Sequence, residues 1–179
     1  MNLKVGIIVG STREGRVGRS VTEWILEQSK TIKDVDFEIV DIKDFDLPFL
    51  GTTSDMDNVG KWNQKLNELD GFVFAVAEYN HSITGALKNA LDSARDAWNN
   101  KSAGIVSYGA AGGARATEHL RGILSELQVA SVRSHVLLSL FDDFENGSVF
   151  KPRNLHDENL EMLFSQVINW GKALKTLRK

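Results

Sequence analysis

Short apolar, β-branched runs alternate along this chain with segments whose apolar residues recur every three or four positions. "LKVGIIVG" (Leu3 to Gly10) predicts a first strand, and Val17, Val21, Trp24 and Ile25 then share one helical face. "DFEIVDI" predicts a second strand. "FDLPFL" follows as a loop with an inward-looking apolar tip, and Trp62, Leu66 and Leu69 mark a short helix. "GFVFAVA" predicts the third strand, and a helix is expected from about Gly85 to Arg95. "KSAGIVSYG" is the fourth, with Leu120, Ile123, Leu124 and Leu127 on the face of the next helix. "VASVRSHVLLSL" holds the fifth, and Leu160, Leu163, Phe164, Val167, Ile168, Gly171 and Leu174 outline a C-terminal helix.

Strands 1, 3 and 4 are near-continuous apolar runs, the pattern of strands covered on both faces. Five strands interleaved with helices predict an α/β, doubly wound parallel sheet. Right-handed crossovers favour the flavodoxin-like order 2-1-3-4-5, which makes strands 1 and 3 neighbours at a switch point. Ligands in such sheets bind beyond the carboxyl ends of the strands, so the loops after strands 1, 3 and 4 are the places to look.

Composition narrows the classes. The 179 residues suit a single domain over 1–179, and no linker, repeat or low-complexity segment interrupts them. A net charge of -3 leaves no basic footprint for nucleic acid. The absence of cysteine removes disulfides, thiolate metal sites and thiol nucleophiles. No apolar run is long enough to span a bilayer and no signal sequence precedes the first strand, so no membrane partner and a cytoplasmic location are expected.

The loop after strand 1, "GSTREGRVGRS", places glycines, hydroxyls and three arginines where a strand passes into a helix. Free N–H groups at a helix start, the Ser11 and Thr12 hydroxyls, Arg13 and Arg16, with Gly18 at the turn, form a phosphate cradle on this reading. It is neither a Walker A loop, since Arg16-Val17 replaces Lys-Ser/Thr, nor a G-x-G-x-x-G turn. After strand 3 come Glu78, Tyr79, Asn80, His81 and Ser82, without a G-x-S-x-G elbow or a metal-ligand set. Facing the same ligand as the phosphate loop, they suit a flat heterocycle. After strand 4, "SYGAAGGARA" brings Ser107, Gly109, Gly112 and Gly113, whose backbone can approach a ring or an anion closely.

At these residues the chain resembles the NAD(P)H-dependent FMN reductases, flavodoxin-like quinone, azo-compound and chromate reductases. "GSTREGR" is similar to the family's G-S-x-R phosphate motif, "EYNHSITGALKNALD" to its P-E-Y-N-x-S-x-P-G-x-L-K-N-A-I-D signature, and "SYGAAGGARA" to its third, glycine-rich segment. The resemblance covers most of the chain. It implies one non-covalent FMN, with Ser11, Arg13 and Arg16 on its phosphate. It implies Glu78, Tyr79 and Asn80 along the flavin edge, and Ser107 and Gly109 to Gly113 near its other side. It also implies NADPH or NADH as co-substrate, a small-molecule electron acceptor, and a homodimer or homotetramer. Ala77 and Thr84 stand where the family has proline, so a looser loop is expected, at about 0.4–1 kcal/mol each. The competing reading is a flavodoxin-type FMN electron carrier, which the arginines and the modest net charge disfavour. A phosphate-signalling receiver domain would need acidic residues where Val9, Gly10 and Ser11 stand.

Overall fold

The computed structural model describes residues 2–52 and 56–178. Five parallel strands, β1 (Leu3–Val9), β2 (Val35–Asp41), β3 (Gly71–Ala77), β4 (Lys101–Gly109) and β5 (Val129–Ser139), form one sheet in the order β2-β1-β3-β4-β5. The predicted order is the observed one. The helices α1 (Gly18–Ser29), α2 (Asp57–Asn67), α3 (Gly85–Asp92), α4 (Ala114–Glu126) and α5 (Leu155–Lys175) cover both faces. A short antiparallel pair, β6 (Phe144–Glu145) and β7 (Val149–Phe150), follows β5.

The two faces carry separate cores. On one, α2, α3 and α4 cover an aromatic cluster in which Trp62 and Trp98 meet edge-on with ring centroids 5.8 Å apart, Phe45 packs on Trp62, and Phe72 packs on Trp98. Both buried indole N–H groups are satisfied by carbonyls of α3, Trp62 by Ala90 at 2.8 Å and Trp98 by Leu91 at 3.1 Å. On the other face, Leu160, Leu163, Phe164 and Val167 of α5 and Val21 and Ile25 of α1 pack on Val5, Ile7, Val73 and Val106. Burying each such side chain is worth roughly 1.5–3 kcal/mol, which explains why apolar residues dominate β1, β3 and β4 between the two layers.

The loop after β2 departs from expectation. Phe45 and Leu47 do pack against the core, but the tip does not turn inward: Phe49 is 69% and Leu50 61% exposed. The Asn89 side chain holds this tip in the open by donating to the Pro48 carbonyl (2.9 Å) and accepting from the Leu50 N–H (3.0 Å).

At the opposite, amino-terminal end of the sheet, Lys101 is only 3% exposed. Its ammonium donates to the Leu66 carbonyl at 2.6 Å and lies 5.6 Å above the Phe72 ring. Burial, helped by the nearby Arg178, pushes its pKa down to about 8 against the opposing pull of Asp70. The folded state therefore sheds this proton near pH 8, whereas the unfolded chain keeps it to about 10.4. The unfolded state binds more protons in that window, so stability rises with pH there. Urea unfolding at pH 7, 8 and 9 should show this rise in the wild type, and Lys101→Met should flatten it.

Candidate cofactor site at the carboxyl ends of β1, β3 and β4

The parallel register brings the ends of three strands together: Val9 lies beside Ala75, and Ala77 beside Tyr108. Beyond them opens a cavity of about 240 Å³. Of the residues singled out in the sequence, Ser11, Arg13, Arg16, Glu78, Tyr79 and Gly109 line it. Tyr108, Leu140, Gly147 and Ser148 join them.

The strand 1 loop leaves the sheet at Gly10, whose N–H donates to the Ala75 carbonyl at 3.0 Å. A Cβ on Gly10 would sit 2.7 Å from that same oxygen, so only glycine lets β1 and β3 close here. The two arginines of the loop differ. Arg16 is a strut: it donates to the Ser11 carbonyl at 2.6 Å and to Asp41, at the end of β2, at 2.5 Å. Arg13 is exposed; its carbonyl accepts from the Arg16 N–H at 3.3 Å, but its side chain makes no hydrogen bond or ion pair with another described residue, which leaves the guanidinium free at the cavity. Helix α1 begins beside it with no side-chain cap and no acidic residue in its first turn, so its leading N–H groups stay available to an anion.

Residues 79–82 form a tight two-residue turn. Tyr79 and Ser82 exchange backbone hydrogen bonds of 2.9 and 3.0 Å, with Asn80 (φ 48°) and His81 (φ 68°) left-handed between them. Tyr79 faces the cavity; Asn80 and His81 stand out in solvent. The His81 Nε2 lies 2.9 Å from Arg115, and since a guanidinium only donates, that nitrogen is an acceptor. Ser82 instead meets His119 at 3.0 Å.

The Glu78 carboxylate is engaged by α4. It accepts from the N–H of Arg115 (3.1 Å) and of Ala116 (3.4 Å) in the first turn of α4, and it pairs with the Arg115 guanidinium. Burial works to raise this carboxyl, but the Arg115 bond and the helix amides outweigh it and hold it below the usual carboxylate range. Glu78 thus caps a helix that lacks a cap of its own.

Ser107 was a candidate and is not at the cavity. It is fully buried, donates to the Gly112 carbonyl at 2.8 Å and accepts from Thr117 at 2.9 Å. Strand alternation puts its neighbour Tyr108 on the cavity side instead. Burial and nearby Tyr79 push the Tyr108 hydroxyl above the ordinary tyrosine value, against the opposite pull of Arg13 and Arg16, so it remains an O–H donor. Gly112 (φ 66°) and Gly113 (φ 77°) turn the chain back over β4 and β5 and are buried there. Gly18 packs under Tyr108, where a Cβ would lie 2.7 Å from the hydroxyl. Thr12 faces a second cavity of about 320 Å³, shared with Ile42, Phe49 and Asn89.

Ala77 and Thr84, where a looser loop is expected, are both held in the folded protein. Ala77 is buried at the end of β3. Thr84, 4% exposed, caps α3 by accepting from the Leu87 N–H (3.0 Å) and donates to the Gly10 carbonyl (2.7 Å).

Gly147 and Ser148 come from the tip of the β6–β7 pair. Asp143 anchors that pair: its buried carboxylate accepts from the N–H groups of Ser139 (2.8 Å) and Arg153 (3.1 Å), from the Arg153 side chain and from His156 (3.0 Å). The signal in the sequence was Asn146-Gly147, a dipeptide suited to a hairpin turn, here with φ of 52° and 65°.

The fold is flavodoxin-like, and this cavity brings Arg13 together with Tyr79 and Tyr108 at the carboxyl ends of the strands. The chain belongs to the NADPH-dependent FMN reductase family, whose pattern its residues 3–143 match. An NAD(P)H:quinone oxidoreductase of Solanum tuberosum is 40% identical over 131 residues, 68% of this chain and 66% of its own length. A 2-hydroxy-1,4-benzoquinone reductase of a Burkholderia species is 33% identical over 72% of this chain and 74% of its own length. An NAD(P)H-dependent FMN reductase of Schizosaccharomyces pombe is 33% identical over 70% of this chain, which spans 68% of that protein. Among solved structures, the FerB flavoenzyme of Paracoccus denitrificans shares the fold with a TM-score of 0.76 at 18% identity, over 96% of this chain and 98% of its own.

Replacing Glu78 with glutamine removes the charge from the α4 cap. At pH 7 it should cost about 1–3 kcal/mol in chemical unfolding. Because the folded carboxyl sits below its unfolded value, the difference between the two proteins should shrink as the pH falls below about 4.

Proposed function

We propose that this protein is an NAD(P)H-dependent FMN reductase that passes electrons to quinone-type acceptors, with FMN held at the ends of β1, β3 and β4. The observation that carries the reading is the pairing, in one cavity, of a free Arg13 and an uncapped α1 start with Tyr79 and Tyr108. The donor set fits a phosphate: Ser11, Arg13 and Tyr108 line the cavity together with Val17, the residue from which the uncapped α1 starts. Arg16 supports the loop from behind. At about 240 Å³ the cavity is smaller than the roughly 300–1,000 Å³ of a pocket that swallows its ligand. A flavin held here would not be swallowed whole, which would leave part of it accessible to NADPH or NADH and then to the acceptor.

When bound, FMN supplies the two-electron redox chemistry between dinucleotide and acceptor. The chain supplies position and shelter. Tyr79, Glu78 and Gly109, which line the cavity, would border the ring, and Gly147 and Ser148 of the β6–β7 tip would complete its wall. No side chain is required as acid or base, since Glu78 is engaged by α4 and Ser107 is buried under it.

In solution the protein is a homodimer or homotetramer on this reading, supported by the apolar Leu155, Met162, Trp170 and Leu177 exposed on or just beyond α5. No helix among the described residues is long and apolar enough to cross a membrane. A cytoplasmic location and a diffusible small-molecule acceptor, with no nucleic acid partner, complete the proposal.

Purified protein supplied with FMN should oxidise NADPH or NADH when a quinone or ferricyanide is added; no oxidation with either dinucleotide would overturn the reading. Arg13→Ala should weaken FMN binding by about 1.5–3 kcal/mol, or about 10–150-fold, in a fluorescence titration. Riboflavin, which lacks the phosphate, should bind the wild type poorly and be indifferent to that substitution.

A further inference from the structure

We infer that Thr84 is a positioning residue that sets the phosphate loop from the far side of the site, through a bond that no family motif specifies. The inference rests on the FMN reading above. Gly10 is where β1 runs out of sheet. Its N–H is still paired with Ala75, but its carbonyl has no strand left to accept from, and the Thr84 hydroxyl fills that role at 2.7 Å across 74 residues of sequence. The same hydroxyl oxygen accepts from the Leu87 N–H at 3.0 Å, so one buried group both closes α3 and holds the loop.

The chain of contacts continues in both directions. Gly10 leads directly to Ser11, whose carbonyl takes the Arg16 guanidinium at 2.6 Å, and Arg16 reaches Asp41 at the end of β2. Thr84 follows two residues after the Tyr79–Ser82 turn. The phosphate loop is therefore fixed to α3 at Gly10 and to β2 through Arg16, while the residue free to meet the ligand, Arg13, lies on the stretch between these two fixed points. A proline could adopt the Thr84 φ of -66° and would rigidify the unfolded chain, but it could not donate to Gly10. In this protein a specific bond between loops does what chain stiffness would otherwise do.

Thr84→Val keeps the shape and removes the hydroxyl, leaving the Gly10 carbonyl and the Leu87 N–H without partners. In titrations of the flavin-free protein we expect the Kd for FMN to rise about tenfold and that for riboflavin to stay within about twofold. Thr84→Ser should restore FMN binding to within about threefold of wild type. An unchanged FMN Kd in folded Thr84→Val, or an equal loss for both flavins, overturns the inference. NMR of the flavin-free protein separates it from the parent reading. Thr84→Asp keeps an acceptor for the Leu87 N–H but cannot donate when ionised, so the Leu87 amide should stay protected from exchange while the carbonyl ¹³C resonance of Gly10, the group that accepts from Thr84, moves. Should the wild type bind no flavin at all, the FMN reading falls, and this contrast alone decides the bond: an unchanged Gly10 carbonyl resonance rejects it.

Discussion

At the carboxyl edge of a parallel sheet, neighbouring strands run out of backbone partners at the same level, and each unpaired N–H or C=O that stays buried must be satisfied or costs free energy. The site of this protein is built from the answers to that one constraint. The Gly10 carbonyl is taken by Thr84, the leading amides of α4 by Glu78, and the Gly112 carbonyl by Ser107. Each solution comes from a neighbouring loop, so the three loops are mutually dependent. Beside them, among the described residues, the start of α1 has no side-chain cap and the Arg13 side chain no partner, which is why the proposed ligand anion is put there.

This division of labour assigns the polar residues of the site more sharply than their types alone. Two arginines stand three positions apart, yet one is a strut between Ser11 and Asp41 and the other faces the cavity alone. Two hydroxyl residues stand side by side at the end of β4, yet Ser107 serves the scaffold and Tyr108 the cavity. The carboxylate that looks like chemistry, Glu78, is a helix cap. A site with so little free acid–base machinery suits a cofactor that carries its own chemistry and asks the protein for position and dryness.

The layers were legible because burial on both faces leaves apolar runs without alternation, and β1, β3 and β4 show them plainly. The same uniformity hid the site's details. In a strand buried on both sides no polar–apolar rhythm tells which face Ser107 takes, so Tyr108 was passed over. The Glu78–Arg115 pair spans 37 residues and the Thr84–Gly10 bond 74, distances at which local pattern carries no signal. The role of Thr84 was hidden for the same reason: in the sequence it reads only as a missing proline, and its partner Gly10 is brought to it by the fold. The β6–β7 strands are two residues each, too short to show a period, although the Asn146-Gly147 turn was in view. Phe49 and Leu50 read as core because they are apolar, and Asn89 holds them outside it.

The central claim is that a phosphate dianion sits against Arg13 and the start of α1. The ³¹P resonance of FMN bound to the protein, followed from pH 5 to 8, tests it most directly. A free phosphate monoester takes up a proton near pH 6. If the cradle holds the dianion, the bound resonance should stay flat across that range. A resonance that titrates with a midpoint near 6, as in free FMN, would place the phosphate in solvent and contradict the account.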